Sequence, residues 1–455
     1  MKTLLLALVL AAGTPAAGAG TTTATSRPAG SPPGEAMTRA ALRLAREVPE
    51  PALADLLAEI ATDHPDVLAA RARARALAAG APRERILPDP SLGVTAWVLP
   101  PETRTGPQRF TLGWTQRIPG RRRRAAREEA VLARARAAEA AAGEVALARV
   151  LEARRLVERI RAQDETLALL AEDLRILDGF EELARARYET GGGIAAAVIR
   201  LHAERTRTRA RILDERSRRE GLVAGLSALA GRPIEVPPLA PGGGTLPPLP
   251  PADRLLSLAR ENRPLLEARR REITAAERAV SARSLEFRPD FSVGLSWTMV
   301  DNRDDAAGRL APPEDNGRDV LALTASIRLP IRRERILAGV RQAVESRREA
   351  ELSLDARERD VRGAIEDVLA RLPLLAQQVT LFRETLLPQA EESLASWRAA
   401  FETGGASAID LLDARRTLLE VRLGVVRAQL AVRLSLLDLE GALGLPLADL
   451  PGGDR

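Results

Sequence analysis

A chain of 455 residues with 2% aromatic side chains and no cysteine cannot build an aromatic-rich globular core, a disulfide framework or a thiolate metal site. Ala, Leu, Arg and Glu dominate, the composition of long helices and coiled coils. The net charge of +6 brings nucleic acid to mind, but the arginines interleave with Glu and Ala along helical stretches and no aromatic stacking platform accompanies them, so a solvated helix surface is the better reading.

The N-terminus reads as an export signal over residues 1–19: Lys2 is the positive end, Leu4–Leu10 the apolar stretch and Ala17-Gly18-Ala19 the small-residue cleavage site. No Cys follows it, so no lipid anchor on cysteine is expected. Residues 20–50 are expected to be an extended segment, opening on a Thr/Pro/Gly/Ser-rich stretch, Thr21–Gly34, that is expected to be extended or disordered. No segment reaches the ~20 apolar residues of a membrane helix. If this chain crosses a membrane, it does so with strands.

From there the sequence runs through one pattern twice, over residues 51–231 and 254–446, with a Pro/Gly-rich linker at 232–253 and a tail at 447–455. Pro88-Asp89-x-Ser91-x-Gly93 recurs as Pro289-Asp290-x-Ser292-x-Gly294, and Arg117-Ile118-Pro119 as Arg328-Leu329-Pro330. Tyr188-Glu189-Thr190-Gly191-Gly192 recurs as Phe401-Glu402-Thr403-Gly404-Gly405, and Gly231-Arg232-Pro233 as Gly444-Leu445-Pro446. A repeat of roughly two hundred residues is far longer than solenoid periods of about 20–50 and implies two large structural halves.

Each half carries two strand patterns of period two, at about 91–99 and 109–117, then about 290–299 and 320–329. Leu92, Val94 and Ala96 alternate with Ser91, Gly93 and Thr95; Phe110, Leu112 and Trp114 with Thr111, Gly113 and Thr115. The second pair does the same with Phe291–Met299 and Leu321–Leu329. One apolar face and one face of Ser, Thr and Gly is what a transmembrane β-barrel strand needs. Polar loops (Pro100–Pro107 and Asp301–Asp319) lie at one end and arginines (Arg121–Arg124, Arg332, Arg333, Arg335) at the other, placed to snorkel at a membrane interface. Barrels begin at about eight strands, so four strands must be completed by copies of the same chain; a trimer supplies about twelve.

After each strand pair comes a long helical pattern. Val361, Ile365, Val368, Leu372, Leu375, Val379, Phe382 and Leu386 keep 3–4 spacing; Val150, Ala153, Val157, Ile160, Leu167, Ala171 and Leu174 do so in the first half, with Asp164 breaking one position. Pro373 is expected to kink its helix. The helices are expected to reverse at the glycine turns Thr190, Gly191, Gly192, Gly193 and Thr403, Gly404, Gly405, giving helical hairpins in each half.

The order of these elements, the duplication, the Pro-Asp-x-Ser-x-Gly strand entries and Ile409-Asp410-Leu411-Leu412-Asp413-Ala414 after the second turn resemble the TolC family of outer-membrane efflux ducts, over roughly Pro51–Pro446. The resemblance implies a mainly α fold with transmembrane β: an internally duplicated homotrimer whose coiled-coil hairpins form an α-barrel under a twelve-stranded barrel in outer-membrane lipid. It also implies two partners, a periplasmic adaptor and an inner-membrane transporter of the RND type, and places the duct in the outer membrane with a long periplasmic extension. Asp410 and Asp413 fall where the family lines its closed end with an acid-x-x-acid pair, and the two glycine turns fall where it meets the adaptor. The family's neighbouring gate tyrosine and arginine are replaced here by Phe401 and Ala406, and the first repeat has Ala197 and Arg200 at the acid positions. The Gln116–Arg122 segment looks most like ducts of heavy-metal and cation exporters. No cofactor is expected: His64 and His202 have no neighbours at ligand spacing, and no phosphate loop or nucleophile elbow is present, so the chain does not read as an enzyme. A soluble periplasmic coiled-coil adaptor or scaffold is the alternative; it explains the helices but not the strand pairs.

Overall fold

A computed structural model describes residues 33–189, 194–243, 246 and 248–450; the signal at 1–19 and the turn Thr190–Gly193 lie outside them. The first half contains α1 (Pro33–Ala45), α2 (Pro51–Asp63), α3 (Pro65–Arg85), β1 (Ser91–Ala96), β2 (Glu102–Thr103), β3 (Gly106–Ile118), α4 (Arg121–Glu189) and α5 (Ala195–Ala230). The second contains α6 (Ala252–Asn262), α7 (Pro264–Ser284), β4 (Asp290–Val300), α8 (Ala306–Leu310), β5 (Val320–Arg328), α9 (Arg333–Thr380), α10 (Leu387–Thr403) and α11 (Ala408–Leu443). The 69 residues of α4 reach about 100 Å at the α-helical rise of about 1.5 Å per residue.

The segment 20–50, expected to be extended, contains α1, and this corrects the reading. Ala41, Leu44 and Ala45 recur on one face and are buried with Leu53, Leu57 and Ile60 of α2 and Val150 and Val157 of α4, so packing on the first core supplies what local composition did not. The tail also takes part: Leu450 is buried in the second core, and Glu440 accepts from the Leu447 amide at 3.1 Å.

The strands pair antiparallel in the order β1-β3-β4-β5, with β2 added to β3. The register keeps the two faces apart across the whole sheet. Leu92, Val94 and Ala96 sit opposite Trp114, Leu112 and Phe110, which sit opposite Leu295, Trp297 and Met299; Leu295 and Trp297 then oppose Leu323 and Leu321. Phe110 meets the edge of Trp297, ring centroids 5.4 Å apart. On the other face Thr111 and Thr298 share a 2.9 Å hydrogen bond. Among the described residues nothing covers the apolar face: Val94 is 68%, Leu321 68% and Leu323 82% exposed. β1 stops at Ala96, short of the expected 99, although the Trp97 amide still donates to the Arg109 carbonyl at 3.0 Å.

Below the sheet the helices form a layer in the same order. α3 follows into β1, β3 leads into α4, α7 leads through a short turn into β4, and β5 leads into α9; α4 packs on α3 and α7, and α7 on α9. The duplication is therefore visible in both layers.

Between the halves, residues 232–243 form a strap lying on the first core. Arg219 on α5 bonds Asp164 on α4 at 2.5 Å and donates to the Val236 carbonyl, while Asp164 accepts from the Leu239 amide at 2.9 Å. Arg161 donates to Ala240 and Arg433 to Gly242, at 2.8 and 3.0 Å. The charge that breaks the hydrophobic period at 164 is thus the anchor of the strap. Asp164→Leu, which repairs the period, is expected to cost about 1–3 kcal/mol, because it strands the Arg219 guanidinium and the Leu239 amide. An unchanged denaturation midpoint would contradict this.

α9 passes through Pro373 without a break, and the irregularity comes later, as a π-helical turn over Leu381–Leu386 ahead of Pro388. There the Phe382 ring rests against Gly424 of α11, where a Cβ would come within 2.4 Å of it.

Candidate functional site

Far from the sheet, the two hairpins close on one small core. Leu177, Phe180 and Ala184 of α4 and Leu201 of α5 are buried against Phe401, Ala408, Leu411 and Leu412 of the second hairpin. The turn of that hairpin is set by Gly404, whose φ of +90° caps α10 in the left-handed region, and by the Gly405 amide donating to Ala400 at 2.8 Å. The Thr403 hydroxyl folds back onto Ala400, at 3.1 Å. Arg187 of α4 reaches across: its guanidinium lies 4.8 Å from the Phe401 ring centroid and donates to the Phe401 carbonyl. A cleft of about 300 Å³ remains between the hairpins, lined by Ile194, Ala197, Arg200, Ser407 and Ile409 among others. Of the turn residues singled out in the sequence, Thr403, Gly404 and Gly405 are therefore at this tip; Thr190, Gly191, Gly192 and Gly193 lie outside the described residues.

Asp410 and Asp413 stand on the first turns of α11, and their surroundings differ. Asp410 closes a capping box: its carboxylate accepts from the Ser407 amide at 3.0 Å and from the Ser407 hydroxyl at 2.6 Å, while its own amide donates to Ser407 Oγ. The Ser407 hydroxyl bond, with the Ser407 amide, holds the carboxyl below its usual 3.8. Asp413 is exposed and has no ion-pair partner among the described residues. A lowered carboxyl pKa supports folding above the unfolded value of 3.8 and loses that support as pH falls through the folded value. Ser407→Ala is accordingly expected to speed hydrogen exchange at the Ile409, Asp410 and Leu411 amides at neutral pH and to change little in strong acid; equal exchange at both pH values would contradict the capping role.

One group that the sequence did not single out lies behind this tip. Asp173 of α4 is buried, with Arg415 of α11 bonding it at 2.9 Å and Thr208 of α5 at 3.4 Å; Glu204 of α5 lies 3.9 Å from the same guanidinium. Burial raises the Asp173 carboxyl above its usual value, outweighing the opposing pull of Arg415. The signal was a charge at a stripe position on each helix: Asp173 between Leu170 and Leu177, and Arg415 between Leu411 and Leu418. Here the stripe inferred through Leu167, Ala171 and Leu174 is one face off, since Ala171 is exposed and Leu170 and Leu177 are fully buried.

Among the described residues, no three His, Cys, Asp or Glu side chains come together as a metal site. His64 caps α3, accepting the Asp66 amide at 3.2 Å. No helix among the described residues is long and apolar enough to cross a membrane.

Residues 255–445 match the family described as outer membrane efflux protein. The cobalt-zinc-cadmium resistance protein CzcC of Cupriavidus metallidurans is 28% identical over 192 residues, 41% of this chain and 42% of that protein, so the alignment spans less than half of the relative. The fold matches solved channels over nearly the full length. The CusC structure superposes with a TM-score of 0.69 at 18% identity, over 86% of this chain and 91% of that one. VceC of Vibrio cholerae gives 0.65 at 19%, over 90% and 97%, and the open state of the MtrE channel of Neisseria gonorrhoeae gives 0.65 at 18%, over 89% of each. The sequence match to that family thus lies in the second half of the chain, while the fold of these solved proteins extends over most of it.

Proposed function

We propose that the protein is a trimeric outer-membrane export duct, joined at its helical tip to a periplasmic adaptor and fed by an inner-membrane transporter of the RND type. The observation that carries this reading is the sheet. Four long strands present one continuous apolar face and two unpaired edges, above a helical layer of the same order. Open edges in lipid leave backbone groups unsatisfied at several kcal/mol each, and closure by two further copies satisfies all of them. A soluble adaptor has no use for such a face. Lipid then covers the Leu, Val and Trp side chains, and the Ser/Thr/Gly face lines the lumen.

At the other end, threefold symmetry gathers Asp410 and Asp413 from each copy around one axis as the constriction. Asp413, without an ion-pair partner among the described residues, supplies the repulsion and cation attraction there, while Asp410 holds the helix start that presents it. The cleft between the hairpins and the turns at Thr403–Gly405, together with the first-repeat turn at Thr190–Gly193, receive the adaptor. The CzcC relative favours divalent metal cations as the delivered cargo. The reading predicts an outer-membrane protein of trimeric mass after detergent extraction, with planar-bilayer conductance that rises in Asp410→Ala/Asp413→Ala. A soluble periplasmic monomer would sink it.

A further inference from the structure

Where the polar strand face meets the helical layer lies a cavity of about 620 Å³ lined by eight arginines against two carboxylates. Its position follows from the strand register. Arg117 ends β3 on the same face as Thr111, Gly113 and Thr115, and Arg328 ends β5 on the same face as Thr324 and Ser326. Both therefore stand on the polar side of the sheet, not on the apolar one. Below them, Arg288 comes from the turn after α7, and Arg332 and Arg335 from the start of α9.

The two carboxylates are already engaged. Asp290 is paired with Arg123 at 2.8 Å, and Glu286 is shared by Arg283 at 3.0 Å and Arg127 at 3.6 Å. Arg117, Arg288, Arg328, Arg332 and Arg335 have no ion-pair partner among the described residues. Arg332 and Arg335, read in the sequence as snorkelling toward a membrane interface, thus line this cavity. Arg283 also borders a second hollow of about 760 Å³ formed jointly by α3, α4, α7 and α9. A hollow shared by all four helices of one layer marks the concave side of that layer. Polar strand face, arginine cavity and helical hollow thus follow one another along the same side of the wall.

We propose that this cavity is an anion-binding collar that takes phosphate-class oxyanions and gives the duct an anion preference at the foot of its strand barrel. The proposal rests on the duct reading only for the second clause. The chemistry is that of guanidinium forks: each presents several donors to oxyanion oxygens and keeps its charge at any physiological pH. Five unneutralised guanidinium groups around a partly enclosed space raise the local concentration of anions and lower that of free cations. A divalent cargo then crosses this level in the company of bound anions that screen the field. The occupant is a dissolved anion and not a lipid headgroup, because the register turns Arg117 and Arg328 away from the apolar face.

The test uses the full-length protein in detergent and inorganic pyrophosphate as probe, with binding followed by calorimetry, then reconstitution in a planar bilayer under a KCl gradient. Wild type is expected to bind pyrophosphate and to show a reversal potential on the chloride side. Arg117→Gln/Arg328→Gln is expected to weaken binding at least about tenfold, since it removes charge-assisted hydrogen bonds to the oxyanion, and to shift the reversal potential toward potassium. Arg288→Gln/Arg332→Gln, altering other exposed side chains, should do the same. Arg121→Gln/Arg122→Gln, removing equal charge from residues that do not line the cavity, should do neither. No pyrophosphate binding, equal losses in all three variants, or binding only of phospholipid in mixed micelles would each overturn the collar. Arginine-dependent binding by a protein that never conducts would instead sink the duct reading and leave the site standing.

Discussion

Arg415→Leu is expected to destabilise the helical body by about 3–5 kcal/mol, the usual penalty for leaving one member of a buried ion pair behind. The pair lies between α4 and α11, with side-chain exposures of 6% and 4%, so water cannot replace the lost guanidinium. The double substitution Asp173→Leu/Arg415→Leu should recover most of the loss, because two leucines fill the site with no stranded charge. The pH dependence separates this from a simple packing defect. Burial raises the Asp173 carboxyl, so its contribution to stability is fully present below the unfolded value of 3.8 and is lost as pH rises through the folded value. In Arg415→Leu the main group opposing burial of the carboxylate is gone, leaving the Thr208 hydroxyl and the charges of Arg211 and Arg422, and the penalty should shrink as acid protonates Asp173. The decay of helical circular dichroism at fixed temperature, measured at neutral and acid pH, checks both points. A penalty independent of pH, or a double variant no better than the single one, would contradict the account. Since the same two residues tie α4 and α11 together just behind Asp410 and Asp413, the variant is also expected to raise conductance.

The second large effect falls at the opposite end. Gly106→Val is expected to free the loop Asp301–Asp319 from the first hairpin while leaving the helices intact. Gly106 has a φ of +123°, which a β-branched residue does not adopt without strain of about 1–3 kcal/mol. A Cβ there would also come within 1.8 Å of the Asp301 carbonyl oxygen, which belongs to backbone and cannot rotate aside. That displacement breaks the bonds that hold the loop down: the Asp301 amide to Pro107 at 2.9 Å, the Gly317 amide to Thr105 at 2.8 Å and Arg109 to Asp301 at 2.6 Å. Arg104 and Asp315 make a further pair across the same seam. Limited proteolysis of intact cells or proteoliposomes should then cut within Asp301–Asp319 in the variant and spare the wild type, with helical melting unchanged. A loop equally resistant in both would show that the glycine is dispensable.

Much of the molecule was legible without coordinates. Strand faces were, because alternation is a property of single strands and needs no partner; Leu92, Phe110, Trp297 and Leu323 therefore proved to share one face. The capping of α11 was also within reach, as Ser407-x-x-Asp410 just before a hydrophobic run is a local signature. The duplication was explicit in the repeated Pro-Asp and Thr-Gly-Gly segments. Other features were settled by packing between distant segments. The stripe on α4 passes through Asp173 because α5 and α11 both press on that helix, and a search for uninterrupted apolar positions steers past a charge whose partner lies 242 residues away. Asp164 looked like a flaw until the strap at 232–243 was seen to hang from it. The N-terminal stretch hid α1, whose stability comes from the core it covers. The arginines beside the strands could be placed at one end from order alone, but only the register and the meeting of β3, β5, α7 and α9 gathered five of them, without carboxylate partners among the described residues, around one cavity. Local periodicity is written in neighbouring residues; the pairing of buried charges depends on which helices meet, and that was decided by the tertiary fold.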